Sequence, residues 1–168
     1  MTPFRRVLLV TVVLLTCVGC DQITKMAARN HLAFSQPTFY LAGIFRLQYM
    51  ENTGAFLSFG SAFPSGLRFW VFTILIGIAL AGMVVVILVH RSLSPTDITG
   101  LSLTAAGGIG NLIDRALNNG AVIDFINVGV GSLRTGIFNI ADVAILAGAG
   151  VVIFLGFHQR RRRCVRSK

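Results

Sequence analysis

Two aspartates lie inside apolar sequence, Asp124 in VIDFI and Asp142 in NIADVAI. Two carboxyl groups brought together in a partly dry site cannot both ionise cheaply, so they tend to share one proton. The ionised member then takes a proton from water, and the protonated member polarises an amide carbonyl. Any titration belongs to the pair. The reaction is peptide hydrolysis without a metal or a covalent intermediate. The same residue types also carry protons or ions in membrane proteins. A small proton- or ion-coupled transporter subunit is therefore the rival reading, and it would need polar residues through the whole membrane depth.

Other polar residues recur at spacings that let them work with this pair. Asp21 and Lys25 are four residues apart and share a helix face. Asn111 and Arg115 repeat that spacing, with Asp114 beside Arg115. Asn139 precedes Asp142 by one turn, and Asn52 and Gly54 fall in ENTG. These residues either tie helix ends together by salt bridges and amide hydrogen bonds, or orient loops and substrate carbonyls. No serine nucleophile has a matching base, and no Cys–His pair is well placed. Cys17 and Cys20 form a C-x-x-C without a second Cys or His pair, and Cys164 stands alone near the C-terminus. They read as small helix-packing residues, not as a disulfide framework. His31, His90 and His158 are scattered, so neither a zinc site nor any other cofactor is expected.

The elements that must position these groups are set by composition. The chain has 168 residues, 54% hydrophobic and 12% charged. Soluble domains carry about 25% charged residues, so a single integral membrane domain over residues 1–168 is expected. Phe69–Val89 contains no charge and as a helix would reach about 31 Å, enough to cross the hydrocarbon. Val7–Cys20 is shorter, but nothing in DQITKMAAR breaks a helix. A third apolar run, Ile98–Ile113, meets Asp114 and Arg115 and contains TAAGGIGN, small residues that allow close helix approach. A fourth begins near Phe138 and reaches Phe157. The expected fold is all-α: four transmembrane helices, at about 7–26, 68–89, 97–117 and 137–158. A small extracytoplasmic β-sheet completes it. FYLAGIFRLQYM has partial period-two character, and AVIDFINV follows the turn signal Asn119-Gly120. These stretches lie in outer segments of about 27–67 and 118–136. Phe56 and Phe59 are available for the membrane interface.

The net charge of +9 lies mostly at the chain ends, in Arg5 and Arg6, then Arg160 to Arg163, Arg166 and Lys168. Nine of the fifteen Lys and Arg fall on the side shared by both termini and the 90–97 loop, which makes that side the cytoplasm. This placement speaks for topology and lipid contact rather than nucleic acid. Five of the six acidic residues, all but Asp97, then gather at the opposite, extracytoplasmic face.

Five strings in order, DQITK at 21–25, ENTGAFLSFG at 51–60, GGIGNLIDR at 107–115, AVIDF at 121–125 and FNIAD at 138–142, resemble the lipoprotein signal peptidases, or signal peptidase II. One departure is Ala106, which stands where the family often has the first glycine of its motif. The resemblance implies an aspartic intramembrane endopeptidase of the bacterial inner membrane, with its site at the periplasmic face. It would remove the signal peptide from diacylglyceryl-modified prolipoproteins by cutting before the lipidated Cys. The family's catalytic aspartates fall on Asp124 and Asp142. Its supporting positions fall on Asp21, Lys25, Asn52, Gly54, Asn111, Asp114, Arg115 and Asn139. The strand segment would be the family's cradle, and the amphipathic outer segment would cover the site. Membrane lipids and lipidated prolipoproteins are the implied partners, globomycin-type cyclic peptides the implied inhibitors, and four helices suffice for a monomer. The N-terminal MTPFRRVLLVTVVLLTCVGC itself looks like a lipoprotein signal ending at Cys20. DQITK begins at the next residue and needs the preceding helix, so Cys20 is read as an uncleaved helix residue.

Overall fold

The computed structural model describes residues 1–54 and 64–166, with Ser65, Arg68 and residues 155–166 described in backbone only. Residues 55–63 of the outer segment, Phe56 and Phe59 among them, lie outside the described residues.

Helix α1 (Pro3–Leu32) begins with Pro at its first position, where its missing N–H is not needed. It runs past Cys20 without interruption to Leu32, longer than the 7–26 span expected, because no Gly or Pro follows Gly19 until Pro37. The short α2 (Ser65–Phe69) passes into a π-helical stretch, Trp70–Leu75, and then into α3 (Ile76–Val89). Helix α4 (Pro95–Leu117) opens on a reciprocal cap. The Ser94 hydroxyl accepts from the Asp97 N–H, and the Asp97 carboxylate accepts from the Ser94 N–H. Asp97, the acid apart from the others, is thus a capping residue. Asp114 and Arg115 do not stop α4 as a purely apolar count suggests. They stay in the helix because both are buried against partners. Helix α5 (Ile140–Arg166) starts two residues after Phe138, since Phe138 is bridged in extended form to Ile126.

Two of the described helices, Pro3–Leu32 and the stretch Trp70–Val89, are long and apolar enough to cross a membrane. The described apolar part of α5, Ile140–Phe154, is shorter. Strands β1 (Thr38–Tyr40), β2 (Phe45–Asn52), β3 (Val122–Val130) and β4 (Leu133–Arg134) form one antiparallel sheet in the order β1-β2-β3-β4. The two strand-like stretches of the sequence therefore pair with each other. Asn52 lies opposite Val122 and Met50 opposite Asp124, with a register shift between Leu47 and Met50. Asn119 and Gly120 take positive φ, 52° and 88°, and turn the end of α4 into β3.

Two apolar cores hold this frame. Val10, Ile87, Ile98 and Ala105 pack α1, α3 and α4 together. Ala28, Ile123, Phe125 and Ile126 seat the sheet on the end of α1. Helix α5 lies against α4 through glycine. A Cβ on Gly148 would overlap the Gly100 carbonyl oxygen, and one on Gly107 would overlap that of Ala141. The TAAGGIGN run thus serves close helix approach as its small residues suggest, and Ala106 packs fully buried within it.

Candidate active site

Asp142 is held by the start of its own helix. The Asn139 side-chain oxygen accepts from the Asp142 N–H at 3.0 Å, and the Asp142 carboxylate accepts from the Asn139 N–H at 3.2 Å. The geometry is that of a capping box. The next orphan donor of α5, Ala141 N–H, is taken by Asp21 Oδ1 of α1 at 2.9 Å. An unpaired helix N-terminus here would be costly, so α1 and α5 are locked together at the level of Asp142.

Asp124 sits on β3, which is buried on both faces from Val122 to Asn127. Its two oxygens accept from the amide of Asn139 at 2.7 Å and the amide of Asn52 at 3.0 Å. One residue, fully buried Asn139, therefore touches both aspartates. Burial pushes the Asp124 carboxyl up to about 6, and the neighbouring charge of Asp142 pushes the same way. The amides of Asn52 and Asn139 and the cation of Lys25 pull it back.

Behind the pair lies a second polar layer. Lys25 spends its three donors on Asp21 at 2.8 Å, Asp114 at 3.0 Å and Asn111 Oδ1 at 2.8 Å. Asn111 passes this on by donating its amide to Asp142 at 2.9 Å. Asp114 also accepts from the Ile123 N–H at 3.0 Å, anchoring the strand that carries Asp124. Gly110 lets Asp21 approach, since a Cβ there would lie 2.6 Å from its carboxylate. Arg115 donates to the Gly54 carbonyl at 3.1 Å, while Gly54 N–H donates to Asn52 at 3.0 Å. The Arg115 guanidinium also lies over the Phe72 ring at 6.0 Å. Of the two roles open to Arg115, the visible one is holding a loop. Its Nε is buried and meets no hydrogen-bond partner among the described residues.

All ten residues singled out, Asp21, Lys25, Asn52, Gly54, Asn111, Asp114, Arg115, Asp124, Asn139 and Asp142, thus belong to one connected network. Glu51, beside Asn52, is not part of it: it is exposed and accepts from Tyr49 at 2.7 Å. Sequence reasoning misses Gln22, whose amide reaches Asp21, Asp114 and the Gly110 carbonyl. Its place directly after Asp21 in DQITK is the available signal. A pocket of about 240 Å³ opens onto the network, lined by Asn111, Arg115 and Asp142 on one side and Ile76, Ile145 and Leu146 on the other. A pocket with one carboxylate, Asp142, against an apolar wall suits an amphipathic substrate better than a free polar one.

The chain matches known proteins over most of its length. A family profile described as Signal peptidase (SPase) II matches residues 13–158. A lipoprotein signal peptidase of Paraburkholderia phymatum is 38% identical over 134 residues, covering 80% of this chain and 78% of its own. That of Yersinia enterocolitica is 40% identical over 140 residues, covering 82% and 79%. That of Photorhabdus laumondii is 37% identical over 158 residues, covering 93% and 89%. Two bacterial membrane enzymes solved by the in meso method share the fold. One has a TM-score of 0.77 over 90% of this chain and 88% of its own, at 24% identity. The other scores 0.73 over 87% and 90%, at 26% identity.

Proposed function

We propose, from the premise that this chain belongs to the signal peptidase II family, that it is a lipoprotein signal peptidase working through the carboxyl pair Asp124 and Asp142. The substrate is a diacylglyceryl-modified prolipoprotein, cut on the N-terminal side of its lipidated Cys. The single observation that carries the pair is Asn139, which bonds to both carboxylates and so fixes them in one site.

In this reading the pair shares one proton and holds the attacking water. The ionised carboxylate takes a proton from the water as its oxygen attacks the scissile carbonyl carbon. The protonated carboxyl gives its proton to the carbonyl oxygen, forming a neutral tetrahedral diol. In the second step the carboxyl groups exchange roles. One removes a diol proton while the other protonates the leaving nitrogen, and the C–N bond breaks. The products are a signal peptide with a free carboxylate and a lipidated Cys with a free amine. Asn52, Asn111 and Asn139 hold the two carboxylates, and Lys25 holds Asn111, which in turn accepts from Asn139. Arg115 also lines the pocket and brings its positive charge to the wall beside Asp142.

We place four helices across the bacterial inner membrane, with both termini cytoplasmic and the pair at the periplasmic face. The bias of Lys and Arg toward the end that holds both termini supports this orientation. The acyl chains then remain in lipid, and the signal helix lies against the apolar wall of Ile76, Ile145 and Leu146. Binding energy from the distant lipid positions the peptide bond. Cys20 stays within an uncleaved α1, whose next residue, Asp21, is already committed to α5. The protein acts without a cofactor and as a monomer, and globomycin-type cyclic peptides compete for its pocket.

The test is purified protein with a synthetic diacylglyceryl prolipoprotein peptide. Asp124→Asn and Asp142→Asn should each lower kcat by at least about a thousandfold while helix content is unchanged. Substantial cleavage by either variant would remove the two-carboxyl mechanism.

A further inference from the structure

Arg6 lies on α1 about 22 Å of helix away from Asp21, at the other end of the bundle. It is 6% exposed. Nη1 donates to the carbonyls of Ile87 at 3.4 Å, Leu88 at 3.4 Å and His90 at 2.9 Å, which close the end of α3. Among the described residues, Nε and Nη2 donate to nothing, and no carboxylate pairs with the guanidinium.

The chain has no acidic side chain to spare for it. It carries six. Asp21 and Asp114 hold Lys25, Asp97 caps α4, Glu51 bonds Tyr49, and Asp124 and Asp142 form the pair. The end of a helix supplies only about half a negative charge. The remaining charge of the guanidinium is directed to its unpartnered nitrogens, which are not sealed off and so stay open to an anion from outside.

Beside Arg6 is an open pocket of about 520 Å³, lined by Met1, Pro3, Arg6, Leu88, Val89 and Arg91. Two arginines stand on its walls, and none of its lining residues is acidic. Its apolar walls continue into the exposed apolar side chains of Phe4, Val7 and Val89, of the kind acyl chains cover. We propose that this pocket binds a phosphate-bearing anion through Arg6 and Arg91, the source favoured by its surroundings being the headgroup of an anionic phospholipid. A guanidinium edge matches phosphate in two-point geometry, which an ammonium does not. In the proposed topology the bound lipid belongs to the cytoplasmic leaflet, far from the chemistry.

The experiment is native mass spectrometry of the full chain titrated with phosphatidylglycerol and, separately, phosphatidylcholine. A parallel melting series uses inorganic phosphate. The expected result is one phosphatidylglycerol per chain, held at least about fivefold more tightly than phosphatidylcholine. Arg91→Gln should weaken it about fivefold, the effect of one basic residue at a lipid surface, with cleavage at the Asp pair unchanged. Arg6→Lys keeps the charge but loses the planar fork, and should weaken it as well. If inorganic phosphate raises the melting temperature and displaces the lipid, the pocket is a site for free phosphate. Equal retention of the two lipids with no response to inorganic phosphate, or phosphatidylglycerol retention unchanged in Arg91→Gln, overturns the proposal. The outcome is independent of whether the Asp pair cleaves.

Discussion

Asn139 and Asp142 cap each other across the first turn of α5, at 3.0 Å and 3.2 Å, while the Asn139 amide reaches Asp124 at 2.7 Å. A helix cap thereby doubles as the spacer between two carboxyl groups. Its two functions separate by mutation. Asn139→Ser keeps a capping oxygen but has no amide to give Asp124, whereas Asn139→Ala loses both. Both variants should lose cleavage by about a hundredfold, the usual scale for a misplaced reacting group. Both variants lose the stability supplied by the amide's bonds to Asn111, Ile123 and Asp124, and the Ala variant should lose about 1 kcal/mol more from the missing cap. Cleavage rates and melting curves on the two proteins check this. A Ser variant with near-normal kcat would mean that the amide contact to Asp124 is dispensable.

The protonation of Asp124 follows from its surroundings, with signs that can be worked out. Its carboxyl stands raised from 3.8 to about 6, first by burial. The amide of Asn52 favours the charged form, so Asn52→Ala should move it above about 6. The charge of Asp142 opposes ionisation, so Asp142→Asn should move it below about 6. The carboxyl stretching band, followed by infrared titration, reads both directions. The same shift bears on stability. Between 3.8 and about 6 the folded protein holds a proton that the unfolded chain has released. Stability therefore falls as pH rises through that window, and the penalty is complete above it, at about 3 kcal/mol. Asp124→Asn should melt above the parent at pH 8 by the part of this penalty left after one lost amide bond, about 1–2 kcal/mol. The gain should fade toward pH 4. A variant less stable at pH 8 than at pH 4, relative to the parent, contradicts the assignment.

The residues of this site were legible because their types contradict their surroundings. Asp124 and Asp142 stand in apolar strings, Asp21 and Lys25 share a helix face, and Asn111 and Arg115 do the same. The strands were legible too, from alternation in FRLQYM and from branched residues after Asn119-Gly120. Hidden were features that depend on which way a side chain turns. Arg6 has the same sequence context as exposed Arg5, and only the position of α3 makes one of them a buried cap. Arg134, just past the turn at Gly131 and Ser132, is likewise unmarked in sequence, yet it ties Asn127 to the Gly43 carbonyl. The π-helical stretch Trp70–Leu75 carries no sequence mark either; within it Phe72 is buried and faces the Arg115 guanidinium.

Lys25 bridges two carboxylates of the second polar layer, Asp21 and Asp114, which are 1% and 2% exposed. Removing it leaves two buried anions side by side. Lys25→Met should therefore destabilise the protein by about 3–5 kcal/mol, the cost of breaking a buried pair from one side. Lys25→Met combined with Asp114→Asn should recover part of that loss, since one anion is gone. Thermal unfolding in detergent measures both. If the double variant is no more stable than the single, the electrostatic account of this layer fails.

Two adjacent glycines should respond very differently to the same added methyl group. A Cβ on Gly108 would come within 2.5 Å of Leu80 Cδ2, the far end of a side chain that can rotate away. A Cβ on Gly107 would overlap the Ala141 carbonyl oxygen and lie 2.8 Å from Ile145 Cγ1. Backbone cannot rotate away, so α4 and α5 must part. Ala141 is the residue whose N–H bonds Asp21, and Asp142 follows it, so parting the helices moves one carboxylate off the other. Gly108→Ala should keep activity within about threefold and cost no more than about 1 kcal/mol. Gly107→Ala should lose cleavage by about a hundredfold and destabilise the protein by about 1–3 kcal/mol, the range for overpacking a close contact. Side-by-side cleavage rates and melting temperatures of the two variants decide it, and equal behaviour would mean that the spacing of α4 and α5 does not set the position of Asp142.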